Sequence, residues 1–452
     1  MRHAATILTE INEYMQKHEL NLTRFAKEAG INTGTVSAIL NGNRPLAVEQ
    51  LERLTKAMGH PRGHFYEKYI REYLYETNPD WRRVGPLIRH CAELDKLDSI
   101  REIVGLLLDY LFYAPLLFDL AEEFYEEGKY AAAEILYENV AMSERNQHSE
   151  RLAMCQYRLF LIRQGTDQEL NYQAAIQFEP FVERLDEMDQ LDALRDLASA
   201  YRALRRWDKV EKIIQMLELK AKICYFSERH QRAGALRKTS RPLFYYLAYT
   251  YLLRSNVCEL RGDYEQALRF NQLYIDLSWV KENDKETQHW KNQFQEWGHV
   301  NTLLIRLSSG DVSVLPDYVA NIEPRKDEIV LSLLNIMEAA NRYDFKVDDV
   351  LQCFEEEIKS IATQPKALGV YSQQMISDRV SRLLIELAAY YLRKGKYSEG
   401  FKYLIDSLEK YCSLNINTRS SLIKYVELFE RYKSFASPQV AAAYQDLIDT
   451  LK

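Results

Sequence analysis

Helix-breaking residues are scarce in this chain. Its 452 residues include only 16 Gly and 11 Pro, which excludes both a protein built from tight hairpin turns and a low-complexity linker. Cysteine is scarce too. Cys91, Cys155, Cys224, Cys258, Cys353 and Cys412 are scattered without a Cys-x-x-Cys pair, which argues against a disulfide scaffold or a zinc site. Each lies in a helical pattern beside apolar neighbours and reads as a buried free thiol. No apolar run approaches the roughly 18 residues of a membrane span, and the start of the chain lacks a secretory leader pattern. A cytoplasmic location with no membrane contact is the expectation. Catalytic signatures are also missing: there is no phosphate-binding loop, no His-Glu-x-x-His and no Gly-x-Ser-x-Gly elbow. We therefore expect no enzyme, no cofactor and no metal. His60 and His64 have ligand-like spacing but no third ligand nearby, and read as surface polarity close to a DNA-binding region.

What the chain does have is apolar bulk. Hydrophobic residues make up 47% and aromatics 12%, with 31 Tyr, enough to bury a large all-helical core. The most informative stretch is 22–45, LTRFAKEAGINTGTVSAILNGNRP. Leu22, Phe25, Ala26 and Ala29 share one helical face, and Gly30 follows where the chain must turn. Asn32 or Thr33 caps a second helix, whose buried stripe is Val36, Ile39 and Leu40. Its outer face offers Thr33, Gly34, Thr35, Ser37, Ala38 and Asn41, small enough for the helix to sit deep in a major groove. Asn43 and Arg44 follow as a donor-rich turn suited to phosphate oxygens. No carboxylate lies between Glu28 and Glu49, as a surface approaching phosphate requires.

Flanking runs at Ala5–His18, Val48–Met58 and Pro61–Tyr75 complete five helices, and the whole resembles the Cro/repressor type of helix-turn-helix domain. Residues 1–75 carry ten Lys or Arg against eight Asp or Glu, so this part is about +2 while the chain as a whole is −7. The sign favours nucleic acid at the N-terminus. One weakly basic module binds poorly at physiological salt, so two copies reading two half-sites of double-stranded DNA, a homodimer, are expected. Asn78-Pro79-Asp80 and Gly85-Pro86 interrupt the helical pattern and place a linker at 76–85, ahead of a larger domain at 86–452.

Four places in that domain share a signature of small residue, aromatic, Gly-x-aromatic turn and small residue. They are Ala121, Tyr125, Gly128, Tyr130 and Ala133; Ala198, Tyr201, Arg205, Trp207 and Val210; Ser255, Cys258, Gly262, Tyr264 and Ala267; and Ala388, Tyr391, Gly395, Tyr397 and Gly400. The pattern resembles the tetratricopeptide repeat, in degenerate form: Arg205 stands for the turn glycine and Cys258 for a large residue. Small residues would let paired helices approach, with the aromatic after the turn filling the wedge between neighbouring pairs. The expected fold is all-α, a five-helix Cro/repressor-like domain followed by a right-handed helical solenoid of seven to nine pairs.

A Cro-like domain followed by a degenerate tetratricopeptide body resembles the RRNPP family of Gram-positive quorum-sensing regulators. The resemblance implies a homodimeric transcription factor switched by a short imported signalling peptide on the concave face of the solenoid. Counting back from each turn residue in such a repeat puts Tyr249, Leu252, Asn256 and Glu259 on that face, with Asp192, Arg195, Ser199 and Arg202, and Arg382, Ile385, Ala389 and Leu392. Asn256 heads the candidates, because one carboxamide satisfies both a donor and an acceptor of an extended peptide. Asn301 and Asn335 lie mid-helix among apolar residues, where Asn needs a reason to be present. Arg195, Arg202, Arg241 and Arg254 are candidates for a peptide carboxylate, and Tyr245, Tyr246 and Tyr249 for aromatic walls. Two other readings remain open. One is a protein that binds a response regulator or stimulates its dephosphorylation, as relatives in that family do. The other is a plain repressor whose solenoid is a protein scaffold.

Overall fold

The computed structural model describes residues 6–75, 80–108, 110–227, 238–322, 328–361, 370–413 and 419–450, with side chains described except at 361, 370–377, 413 and 419–421. Among them there is no strand, and the chain is all-helical. It divides into two compact units, residues 1–162 and 163–452.

The first unit opens with α1 (Ile7–Lys17), α2 (Leu22–Glu28), α3 (Thr33–Leu40), α4 (Val48–Ala57) and α5 (Tyr66–Tyr73). Side-chain caps start the first three helices. Thr6, Asn21 and Asn32 each accept a hydrogen bond from a first-turn amide, satisfying donors the helix itself leaves open. The expected last helix, Pro61–Tyr75, is shorter than its sequence pattern, because Gly63 takes φ +75° and holds residues 62–65 in turns. The unit continues through α6 (Trp81–Glu93), α7 (Leu97–Leu107), α8 (Ala114–Glu126), α9 (Tyr130–Ser143) and α10 (Glu150–Ile162).

Here the structure corrects the linker expected at 76–85. Residues 76–79 lie outside the described residues, but 81–85 form the first turn and a half of α6, capped by Asp80. Pro86 is the sixth residue of this helix, where it removes one amide donor from the ladder without ending it. α6 packs on α4 and α7 on α5, so helices α1–α5 are seated on their successors. Arg62 bridges Glu93 at 2.6 Å, Tyr66 lies over His90, and a methyl group on Gly63 would fall 2.7 Å from Leu94 Cδ1.

The second unit comprises α11 (Gln168–Phe178), α12 (Glu187–Ala203), α13 (Trp207–Phe226), α14 (Leu243–Leu260), α15 (Tyr264–Ile275), α16 (Lys285–Ser308), α17 (Leu315–Ile322), α18 (Ile329–Tyr343), α19 (Asp348–Cys353), α20 (Glu355–Ile361), α21 (Val370–Arg393), α22 (Tyr397–Ser413), α23 (Arg419–Tyr432) and α24 (Pro438–Asp449). All four signature places are helical hairpins: α8 with α9 in the first unit, and α12 with α13, α14 with α15, and α21 with α22 in the second. Their turn residues Gly128, Arg205, Gly262 and Gly395 all have φ between +55° and +76°. The small residues flanking each turn are buried, which lets the paired helices touch. One expectation fails at Tyr130, which is half exposed and leans on Tyr125 of its own hairpin instead of filling a wedge between pairs. Successive hairpins stack, α13 on α14, α15 on α16 and α18 on α21. A contact outside that succession closes the row, where α12 meets α21.

Candidate functional site: a helix-turn-helix face and a charged inner row

In the first unit, α2 and α3 pack through Phe25, Ala26, Val36 and Ile39, all buried. Gly30 turns the chain at φ +65°, and Arg53 of α4 donates to its carbonyl oxygen at 3.2 Å, pinning the turn from outside. Asn32 Oδ1 accepts from the Gly34 amide at 2.9 Å and fixes the start of α3. On the outer face, Thr33, Thr35, Ser37 and Ala38 are half-buried while Gly34, Asn41, Asn43 and Arg44 are exposed. All eight DNA-binding candidates thus keep part of their surface open to solvent. Beyond Gly42, at φ +70°, the amides of Asn43 and Arg44 donate to the Ala38 carbonyl, curling this turn back against α3. The Arg44 side chain has no hydrogen bond or ion pair among the described residues, whereas Arg24 is paired with Glu28 at 3.3 Å. A shallow cavity of about 310 Å³ opens beside this face, lined by Glu52, Arg53, Lys56, His60 and Arg62. The His60 and His64 rings stack at 4.1 Å.

In the second unit, the inner candidates fall into two groups. Tyr249, Asn256 and Glu259 are spaced to share one face of α14, and Arg202 of α12 lies near Tyr245 of the same helix. Tyr249 is buried, stacked on Tyr245 at 5.7 Å, and its hydroxyl meets Ser199 Oγ at 2.9 Å. Burial pushes the Tyr245 phenol up to about 12, against the pull of Arg195, Arg241 and Arg202 nearby. Asn256 is half-buried and has no hydrogen bond to any described residue. The remaining candidates are engaged by the protein itself. Arg195 holds Asp192 at 3.3 Å and Asp196 at 2.9 Å, and donates to Ser240. Asn301 donates to Tyr274 Oη at 2.8 Å and Asn335 to Tyr318 Oη at 3.1 Å, which explains both asparagines as partners for buried phenols. Arg254 is not brought onto that face. Two residues before Asn256, it stands about 200° away around the helix, where it pairs with Glu218 at 2.6 Å and lies over Phe270.

Sequence reasoning missed the strongest charge cluster in this unit. Arg202 of α12 and Arg205 of the turn that follows lie where α12 meets α21, near Arg379 and Arg382. Burial and the adjacent Arg202 and Arg382 push the Arg379 guanidinium down to about 10, and burial and Arg382 push Arg205 down too. The one available signal was the i, i+3 spacing of Arg379 and Arg382, which puts both on one helix face.

Glu259 is the half-buried acid of α14. Burial raises its carboxyl to about 7, although Ser308 of α16 donates to it at 3.0 Å and Arg342 of α18 opposes the shift; Glu338 of α18 adds to it. The folded value lies above the unfolded one of about 4.3. Protonation therefore favours the folded state, and this contribution is complete below the unfolded value and lost as the pH climbs through about 7. The thermal midpoint of Glu259→Gln should rise relative to wild type between about pH 5 and about pH 8. A constant difference across that range would show that Glu259 titrates as an ordinary surface acid.

The cysteines are all reduced, with Cys91, Cys155 and Cys224 buried; Cys353 departs from expectation and is exposed. Burial pushes the Cys91 thiol up to about 12, which makes it unreactive. Among the described residues no three His, Cys, Asp or Glu side chains are placed to hold a metal, and no helix is long and apolar enough to cross a membrane. No family model and no curated protein matches the chain.

Proposed function

We propose that this chain is a transcription regulator that reads double-stranded DNA with α3 and is switched by a short signalling peptide bound along the inner row of the second unit. The observation that carries the DNA part is the α2–turn–α3 face. Its turn is pinned by Arg53, its outer residues are small and at least partly open to solvent, and no carboxylate intrudes. This is what a helix entering a major groove requires, and the Cro/repressor-like arrangement is the reading it supports. The peptide part rests on Asn256, whose amide has no partner among the described residues, and on the ionisable Glu259 one turn further along α14. The four hairpins with a left-handed turn residue at equivalent places support a tetratricopeptide-like, right-handed solenoid as the peptide's seat.

The working unit in this reading is a cytoplasmic homodimer. Peptide binding shifts the population between two dimer geometries, only one of which sets the recognition helices one DNA turn, roughly 34 Å, apart. The first test is native mass spectrometry of the purified protein with short peptides encoded beside its own gene. It is paired with selection of a binding site from random duplexes. A dimer capturing one peptide per chain is the expected result, and DNA binding without capture overturns the receptor half. On the selected duplex, Arg44→Ala should weaken binding evenly across sequence variants and lower the salt slope by about one counterion. An unchanged slope would remove Arg44 from the phosphate contacts.

A further inference from the structure

We propose that Arg202 of α12 and Arg205 of the turn after it, facing Arg379 of α21, form a receptor for an oxyanion, a carboxylate or a phosphate, which on binding clasps α12 to α21. Three observations converge on this place. The first is packing. α12 and α21 belong to hairpins far apart in the chain, yet they meet directly, so whatever occupies their crossing controls whether the row stays closed.

The second is the charge balance. Arg202, Arg205, Arg379 and Arg382 face the carboxylates of Asp378 and Glu338, with Glu328 also in reach of Arg379. Arg382 takes both nearer acids, pairing with Glu338 and standing 3.8 Å from Asp378. The Arg202 and Arg205 side chains are left with no hydrogen bond or ion pair among the described residues, and Arg202 Nε is shut off from solvent as well. A buried guanidinium donor without an acceptor is costly, and a carboxylate or phosphate accepting two parallel N–H bonds is the group that fits it.

The third is backbone strain. Arg205 sits at φ +55°, where the equivalent turns use Gly128, Gly262 and Gly395. A side chain in this conformation costs about 1 kcal/mol or more relative to glycine, so nothing in the turn itself calls for arginine. What arginine adds is a guanidinium at the crossing. Without an anion, like charges on the two helices push them apart. With one, the same charges become ligands of a shared group. Burial first and the neighbouring arginines second lower the proton affinity of Arg379 and Arg205.

In the peptide-receptor reading the anion is the ligand's terminal carboxylate; the cluster itself rests on that reading only for its source. The test uses the full chain, Arg202→Gln and Arg205→Gly, with three probes at matched ionic strength: inorganic phosphate, N-acetyl-pentaglycine, and N-acetyl-pentaglycine amide. Both substitutions remove a half-buried charge from a cluster of like charges, and Arg205→Gly also relieves the turn, so each variant should melt above wild type in chloride alone. Phosphate or the free-acid peptide should then raise the wild-type midpoint by several degrees and slow amide exchange in residues 378–393, with much smaller changes in both variants. A response to the free acid but not the amide assigns a peptide carboxylate, and a response to phosphate alone assigns a phosphate group. Equal responses in wild type and both variants, or none in any, overturn the clasp. If both variants capture a cognate peptide with wild-type affinity, the carboxylate assignment falls while the peptide reading stands. If wild type captures no peptide yet answers to phosphate, the reverse holds.

Discussion

Thr33→Glu should abolish operator binding while leaving the first unit as stable as before, or slightly more so. Thr33 is the first residue of α3, directly after the Asn32 cap, where the helix dipole is positive. An acid there stabilises the helix by about 0.3–1 kcal/mol. The same carboxylate faces DNA phosphate in a stretch otherwise free of acids from Glu28 to Glu49, and displaces a hydroxyl proposed to reach a base edge. Loss of one good base contact is worth about 1–3 kcal/mol, and like-charge repulsion adds to it, so affinity should fall on the order of a hundredfold or more. Thermal melting and a binding titration on the selected duplex report the two effects separately. Full affinity with a raised melting point would remove α3 from the groove; loss of both would show only that Thr33 is needed for folding.

The second large effect belongs to the α21–α22 hairpin. Gly400 is buried in the first turn of α22, and a Cβ there would stand 2.6 Å from Leu392 Cγ and 3.0 Å from the Leu392 backbone nitrogen. The side chain of Leu392 can give way, but its amide cannot, because it is part of α21. A larger residue at 400 must therefore push two helices apart along their whole contact. Leucine is a better helix former than glycine by roughly 0.8–1 kcal/mol. Overpacking costs typically 1–3 kcal/mol, and more where backbone blocks the way, so the second term wins for Gly400→Leu. The protein should melt several degrees lower, with the loss of protection greatest in α21 and α22. Gly400→Ala is the milder version, and a rise in its melting point would mean that the hairpin yields more readily than its geometry implies.

The parts of this structure that sequence reveals most fully are those with local causes. The helices of the first 75 residues follow from apolar spacing and from Asn21, Asn32 and Gly30, whose capping and turning act within a few residues of themselves. The four hairpins follow similarly from their turn residues, Arg205 included. What escaped is long-range. The pattern at 76–85 reads as a linker because Pro86 and Gly85 are poor helix residues; Asp80 and the packing of α6 on α4 override that preference. Asn301 and Asn335 look like ligand contacts until Tyr274 and Tyr318 are placed beside them. Arg379 drew no attention in sequence because its importance depends on α12 arriving from the far end of the unit.

The seat between α5 and α6–α7 has a consequence for the grammar of the DNA site. A reader hung on a flexible tether tolerates half-sites at varied spacings, because each copy can swivel to find its groove. Here Gly63 against Leu94 and Arg62 on Glu93 leave no swivel, so α3 shares one orientation with everything through α10. In the proposed homodimer, each inserted base pair rotates one half-site by about 34–36° relative to the other, and no adjustment within the first unit absorbs that error. Spacer length should then be as strictly selected as the bases that α3 touches, and the sites found from random duplexes should fall into a single spacing class.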